Sequence, residues 1–129
     1  MLRVDDLLGV RFVTHGRSIS EGFDCYGLAI EVSRRLGHKL DDLWYKKSDA
    51  ETFSMNAEKQ IELLSGKVEL TDEQSLGNLI VFSDSKGRMV HIGVILDEGR
   101  FIHAEIGGVR VTELEDYYRK EWKVYKWRQ

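Results

Sequence analysis

The apolar residues of this chain change period part-way along, and that change limits it to one kind of fold. From Cys25 to Leu36, the residues Leu28, Ala29, Val32 and Leu36 recur at helical spacing. Asp24 stands where an N-cap belongs and Gly37 where a helix stops. Residues 2–9 read as a short amphipathic helix, and residues 50–64 as a further helix ending near Gly66. After Gly66 the pattern turns to short strands: 79–83, 89–96, 100–105, 109–112 and 123–127. Gly77-Asn78, Ser85-Lys86-Gly87, Asp97-Glu98-Gly99 and Gly107-Gly108 separate them. Residues 11–22 read as an irregular loop, and residues 113–119 as a short helix or turn. Proline is absent, so the turns rest on Gly, Asn, Asp and Ser. Helices followed by a strand meander predict an α+β fold, with N-terminal helices packed on a mainly antiparallel five-stranded sheet.

Composition narrows the functional classes. At 129 residues the chain is expected to be a single domain, 1–129. A net charge of −3 speaks against a nucleic-acid-binding surface. The single cysteine cannot form an internal disulfide, so no oxidising compartment is demanded. Asp5, Asp6 and Arg11 interrupt the apolar residues near Met1, so no signal peptide is expected. No apolar run is long enough for a membrane span. The expectation is synthesis in a cytosol, with another agent carrying the protein to any external substrate.

Cys25 opens the 25–36 helix, and two histidines follow on strands, His91 and His103. A lone cysteine in the field of a helix N-terminus is favoured as a thiolate. With an imidazole to take its proton and a third group to orient that imidazole, it becomes a nucleophile for acyl transfer. Gly27 leaves little bulk beside the thiol. Turn chemistry bears on the histidines. A three-residue loop Asp97-Glu98-Gly99, with Gly99 left-handed, pairs Leu96 with Arg100, Gly93 with His103 and His91 with Glu105. His91 and His103 then share one sheet face as diagonal neighbours, with open space over Gly93. A two-residue loop Glu98-Gly99 sends them to opposite faces. One cysteine and two histidines at these distances match no ordinary zinc pattern, so neither a metal nor another cofactor is expected. Residues 117–128 interleave Tyr117, Tyr118, Trp122, Tyr125 and Trp127 with Arg119, Lys120, Lys123, Lys126 and Arg128. This reads as a closing edge strand with aromatics inward and charges outward; a stacking or anion-contacting surface is the other reading.

Four segments in order resemble the NlpC/P60 family of cell-wall cysteine peptidases. They are Asp24-Cys25-Tyr26-Gly27-Leu28, then Gly77-Asn78-Leu79-Ile80-Val81-Phe82, then His91-Ile92-Gly93-Val94, then Phe101-Ile102-His103-Ala104. The resemblance implies a papain-like α+β core. Cys25 is then the nucleophile, His91 the general base and acid, and His103 the orienting third member. Phe12, Asp24, Tyr26 and Gly93 become the substrate-contact candidates, Phe12 standing where many members have Tyr. The implied substrate is the peptide stem of peptidoglycan, at the bond between D-glutamate and a diamino acid. Residues 9–17, leading into Gly22-Phe23-Asp24-Cys25, further resemble a subgroup of phage tail proteins. That implies tail proteins as partners and delivery to the wall by a virion. A structural tail module that keeps the fold without the activity, and a thiol-dependent amidase or acyl transferase, are the other functions such a core can carry.

Overall fold

The computed structural model describes residues 2–42 and 66–128. The helix α1 (Cys25–Arg35) begins where its cap dictates. Asp24 is extended and its carboxylate accepts from the Gly27 amide at 2.8 Å. Arg34 and Arg35 lie in the last turn, where a cation meets the negative end of the helix. Its buried face, Leu28, Ala29 and Val32, packs on one side of the sheet.

Two short strands precede the helix inside the expected loop, β1 (Arg17–Ser18) and β2 (Gly22–Phe23), paired antiparallel. The others are β3 (Val68–Thr71), β4 (Leu79–Ser83), β5 (Met89–Asp97), β6 (Arg100–Glu105), β7 (Gly108–Glu113) and β8 (Trp122–Trp127). These six form one antiparallel sheet in the order β3-β8-β4-β5-β6-β7. The architecture is α+β, with six strands in this sheet among the described residues where five were expected. β8 is not the edge strand anticipated, because it sits between β3 and β4. Lys126 and Arg128 face Glu69 of β3 at 3.7 and 3.6 Å, so these tail charges have partners across the strands. No helix among the described residues is long and apolar enough to cross a membrane.

Residues 2–9 do not form the expected helix. Leu7 N–H donates to Val4 and Val10 N–H to Leu7, as isolated turns. The segment then ties itself to the start of β7, with Gly9 N–H donating to Val109 and Val109 N–H to Val10. Fully buried Leu7 anchors it in the core. Backbone pairing with a distant strand outweighs a weak local periodicity. Residues 113–119 contain only a 3₁₀ turn, Leu114–Asp116. The expected helix over 50–64 lies outside the described residues.

The sheet has a core on each face. Leu79, Val81, Ile92, Val94 and Ile102 meet α1, whereas Ile80, Phe82, Ile95, Phe101 and Tyr117 cluster together on the other side. Gly27 lets the chain before α1 close over the helix. A Cβ there would lie 2.1 Å from the Gly16 carbonyl oxygen and 2.7 Å from Arg17 Nη1. Gly27→Ala is therefore expected to cost about 3 kcal/mol or more, since backbone must move to admit the methyl group. Urea unfolding checks this; a loss below about 0.5 kcal/mol, the scale of an ordinary surface change, would show that the loop is free to lift.

Candidate active site

The β5–β6 hairpin decides where the histidines go. Its innermost pair is Asp97–Arg100, which leaves Glu98-Gly99 at the tip, with Gly99 at φ +87°. The tip is thus the two-residue one. A register shift between Ile95 and Asp97 then restores the pairs Ile95–Phe101 and Val94–Ile102. One irregular residue offsets one missing loop residue, and the body of the ladder keeps the register of the three-residue reading. His91 and His103 consequently share a face, with His91 Nε2 2.7 Å from His103 Nδ1. His103 Nε2 lies 2.8 Å from Thr112 Oγ1 on β7. Tyr117 stands edge-on to His103, and Phe82 and Phe101 flank the pair.

His91 and His103 belong to the face opposite α1, and Cys25 to the core beneath the helix. They come together at the sheet end where β5 begins and β6 ends. A cavity of about 300 Å³ there takes walls from Phe12, Cys25, Val90, His91, Glu105 and Arg119. Phe12 and Ile106 continue into a second hollow beside Arg11 and Gly107. The thiol and one imidazole therefore share a space large enough for a peptide unit.

Of the substrate-contact candidates, Phe12 lies on the cavity wall and the other three have packing contacts of their own. Asp24 is 1% exposed; it caps α1, accepts from the His15 amide at 2.8 Å and pairs with Arg17 at 2.8 Å. Tyr26 is buried and its hydroxyl donates to the Asp41 carbonyl. Gly93 does not leave open space over the histidines. A Cβ there would lie 2.9 Å from Phe101 Cδ2 and 3.3 Å from His103 Cβ, so this glycine lets β6 side chains close in. Thr112, Tyr117, Glu105 and Arg119 were not named as site residues from sequence. Tyr117 and Arg119 show there only in the aromatic and basic interleaving of the tail, and Glu105 only as the residue paired with His91. His38, with no partner apparent in the sequence, stacks on Trp127 at 4.6 Å.

Electrostatics depart from the thiolate expectation. Burial pushes the Cys25 thiol well above its usual range, and the Asp24 carboxylate pushes it further; the Ile92 and Tyr26 amides and Arg17 pull only weakly the other way. The helix-end field is worth about 0.3–1 kcal/mol. Full burial shifts a titratable group by up to roughly 3–5 units, or about 4–7 kcal/mol, so desolvation wins. Burial also holds His91 well below the ordinary imidazole range, helped by His103 and Arg119. His103 is pushed down to about 3 by burial and Arg110. Burial therefore favours a neutral thiol beside two neutral imidazoles.

Those low values tie stability to pH. Between about 3 and 6.5 the unfolded chain holds a proton that folded His103 refuses, so stability is complete above 6.5 and falls as pH drops. From pH 6.5 to 5 the loss from His103 alone is about 2 kcal/mol, and His91 adds to it with the same sign. The Asp and Glu carboxylates held low by arginine and lysine partners titrate below that window. Urea midpoints at pH 7 and 5 test this. His103→Asn should flatten the dependence, and equal midpoints for the wild type would mean the imidazoles are not dehydrated.

Among the described residues, His91, His103 and Glu105 offer metal-ligand atoms within 4.8 Å of one another. The 2.7 Å contact between the two rings is a hydrogen bond. Two nitrogens about 2.0–2.1 Å from one tetrahedral zinc would stand further apart.

The NlpC/P60 family model matches residues 9–128. Among solved structures, the NlpC/p60 domain of the peptidoglycan hydrolase SagA is 23% identical, with a TM-score of 0.57 over 93% of this chain and 89% of that one. An NlpC/P60 family protein from Bacillus cereus ATCC 10987 is 21% identical, with a TM-score of 0.57. It covers 93% of this chain, which spans 36% of that protein. No curated protein sequence matches.

Proposed function

The chain belongs to the NlpC/P60 family, and from that premise we propose that it is a cysteine peptidase that hydrolyses peptidoglycan stem peptides. The bond we assign is the one between D-glutamate and a diamino acid. We extend the proposal to a tail-associated enzyme that a virion delivers to the wall, supported by the resemblance of residues 9–17. The observation that carries the catalytic reading is the shared cavity of Cys25 and His91, with His91 held by its 2.7 Å bond to His103. The SagA domain, named as part of a peptidoglycan hydrolase, supports the substrate class.

The hydrogen-bond chain assigns the proton positions. A base at His91 Nδ1 requires the ring hydrogen on Nε2. Nε2–H then donates to His103 Nδ1, and His103 Nε2–H donates to Thr112 Oγ1. A protonated His103 would donate from both nitrogens and force the wrong tautomer on His91. Its low proton affinity keeps the relay in the useful direction.

In the proposed reaction the Cys25 proton passes to His91 Nδ1 as Sγ attacks the scissile carbonyl carbon. The carbonyl electrons move to oxygen. The imidazolium then protonates the leaving nitrogen, the C–N bond breaks, and a thioester remains. Water attacks the thioester, gives a proton to His91, and the thiol is regenerated as the carboxylate product leaves. Mass spectrometry of products from wall fragments tests the reading. Each cut should yield one free amine and one free carboxylate, with one water added. A product joining two peptides would make the protein a transferase, and intact fragments from every wall type would remove the peptidase assignment.

A further inference from the structure

Among the described residues, Arg119 is the one on the cavity wall whose charge is left unanswered. Buried Tyr117 packs against both histidines, and exposed Tyr118 follows it. The chain then turns Arg119 onto the cavity wall that it shares with Cys25 and His91. Its guanidinium lies 5.0 Å from the Tyr118 ring centre, a cation–π shelf that orients the group without using its donors. Its Nε is buried and has no hydrogen-bond partner among the described residues. Arg17, Arg35, Arg88 and Arg100 each hold a carboxylate at 3.1 Å or closer; Arg119 has no carboxylate partner among the described residues. Glu105, the acid on the same wall, is engaged elsewhere. It accepts from the Tyr117 hydroxyl at 3.0 Å and faces Arg110 at 3.8 Å.

A buried donor without a partner is costly, and a guanidinium fork matches a carboxylate in charge and shape. We propose that Arg119 is the anion anchor of this cavity, a specificity residue that binds a carboxylate of the substrate beside the scissile bond. The substrate half of this proposal rests on the peptidase reading above. Charge neutralisation gives the contact a second effect. Arg119 weakens His91 as a base while its charge stands alone. A carboxylate seated on it removes that repulsion, so substrates carrying the anion strengthen the base when they arrive.

Two measurements separate the anchor from the peptidase reading. The first uses stem peptides identical except that the carboxylates flanking the scissile bond are free or amidated. A charge-assisted bond predicts that wild type prefers the free acid by roughly 10- to 100-fold in kcat/KM. Arg119→Gln should bring that ratio close to one, and Arg119→Lys should keep part of it. The second needs no peptide substrate and compares the rates at which iodoacetate and iodoacetamide alkylate Cys25. Sγ displaces iodide in both, and only iodoacetate carries an anion. Relative to a free small thiol, wild type should favour iodoacetate, and Arg119→Gln should lose that bias. Loss of bias with no peptide cleavage leaves the anchor standing and removes the peptidase reading. An unchanged iodoacetate-to-iodoacetamide ratio in Arg119→Gln, or no alkylation by either reagent, overturns the anchor.

Discussion

Cys25→Ser is expected to lower turnover of wall fragments by at least about 10³-fold while the protein stays folded. The exchange removes the only thiol of the chain and substitutes a hydroxyl, which is far harder to ionise. The base available is poor, since burial holds His91 well below the ordinary imidazole range. A thiol gives up its proton far more readily than a hydroxyl does, so a weak base can still assist cysteine where it cannot assist serine. Stability should change by less than about 1 kcal/mol, because the volume is nearly kept and serine tolerates the first turn of a helix. Product mass spectrometry and urea unfolding together decide the matter. Wild-type hydrolysis by a folded Cys25→Ser protein would take the nucleophile away from position 25 and end the cysteine-peptidase assignment.

Local signals were legible, and topology was not. The start of α1 could be read because its cap is a contact three residues long, from Asp24 to the Gly27 amide. Strands β4 to β7 could be read because glycine turns punctuate them. β3 escaped because it is four residues long and its partner β8 lies more than fifty residues away. The edge position expected of β8 failed for the same reason: nothing in its alternation tells which strand will come alongside. The helix expected over residues 2–9 lost to backbone pairing with Val109, a competitor absent from the local pattern.

The candidate site divides in a similar way. Cys25, His91 and His103 stand in ordered motifs, and turn chemistry carried their shared face, although the hairpin reaches that register through a shorter tip and a compensating shift. Thr112, Tyr117 and Arg119 belong to no motif, and only folding brings them beside the histidines. The charge state of the thiol is not legible in the sequence, because helix position is visible there and dehydration is not. Asp24 is the telling residue. Its carboxylate makes the helix begin where the proposed nucleophile sits, and the same charge opposes ionisation of the neighbouring thiol.

His91→Ala is expected to cost nearly as much activity as Cys25→Ser, roughly 10³-fold, because nucleophile and base act as a unit. Truncation also strips His103 Nδ1 of its 2.7 Å partner, which should cost about 1–3 kcal/mol of stability at neutral pH. Part of that loss should return in acid, since one of the two buried imidazoles that resist protonation is gone. Alkylation by iodoacetamide then reports the resting charge state. With thiol and imidazole both neutral, the wild-type rate should climb only above the ordinary thiol range near about 8.5. His91→Ala should follow the same pH curve, because no imidazolium was holding a thiolate in place. An inflection below pH 7 in the wild type that vanishes in His91→Ala would identify a resting thiolate–imidazolium pair. The neutral resting state would then be wrong, and the proton would have to reach His91 before the substrate arrives.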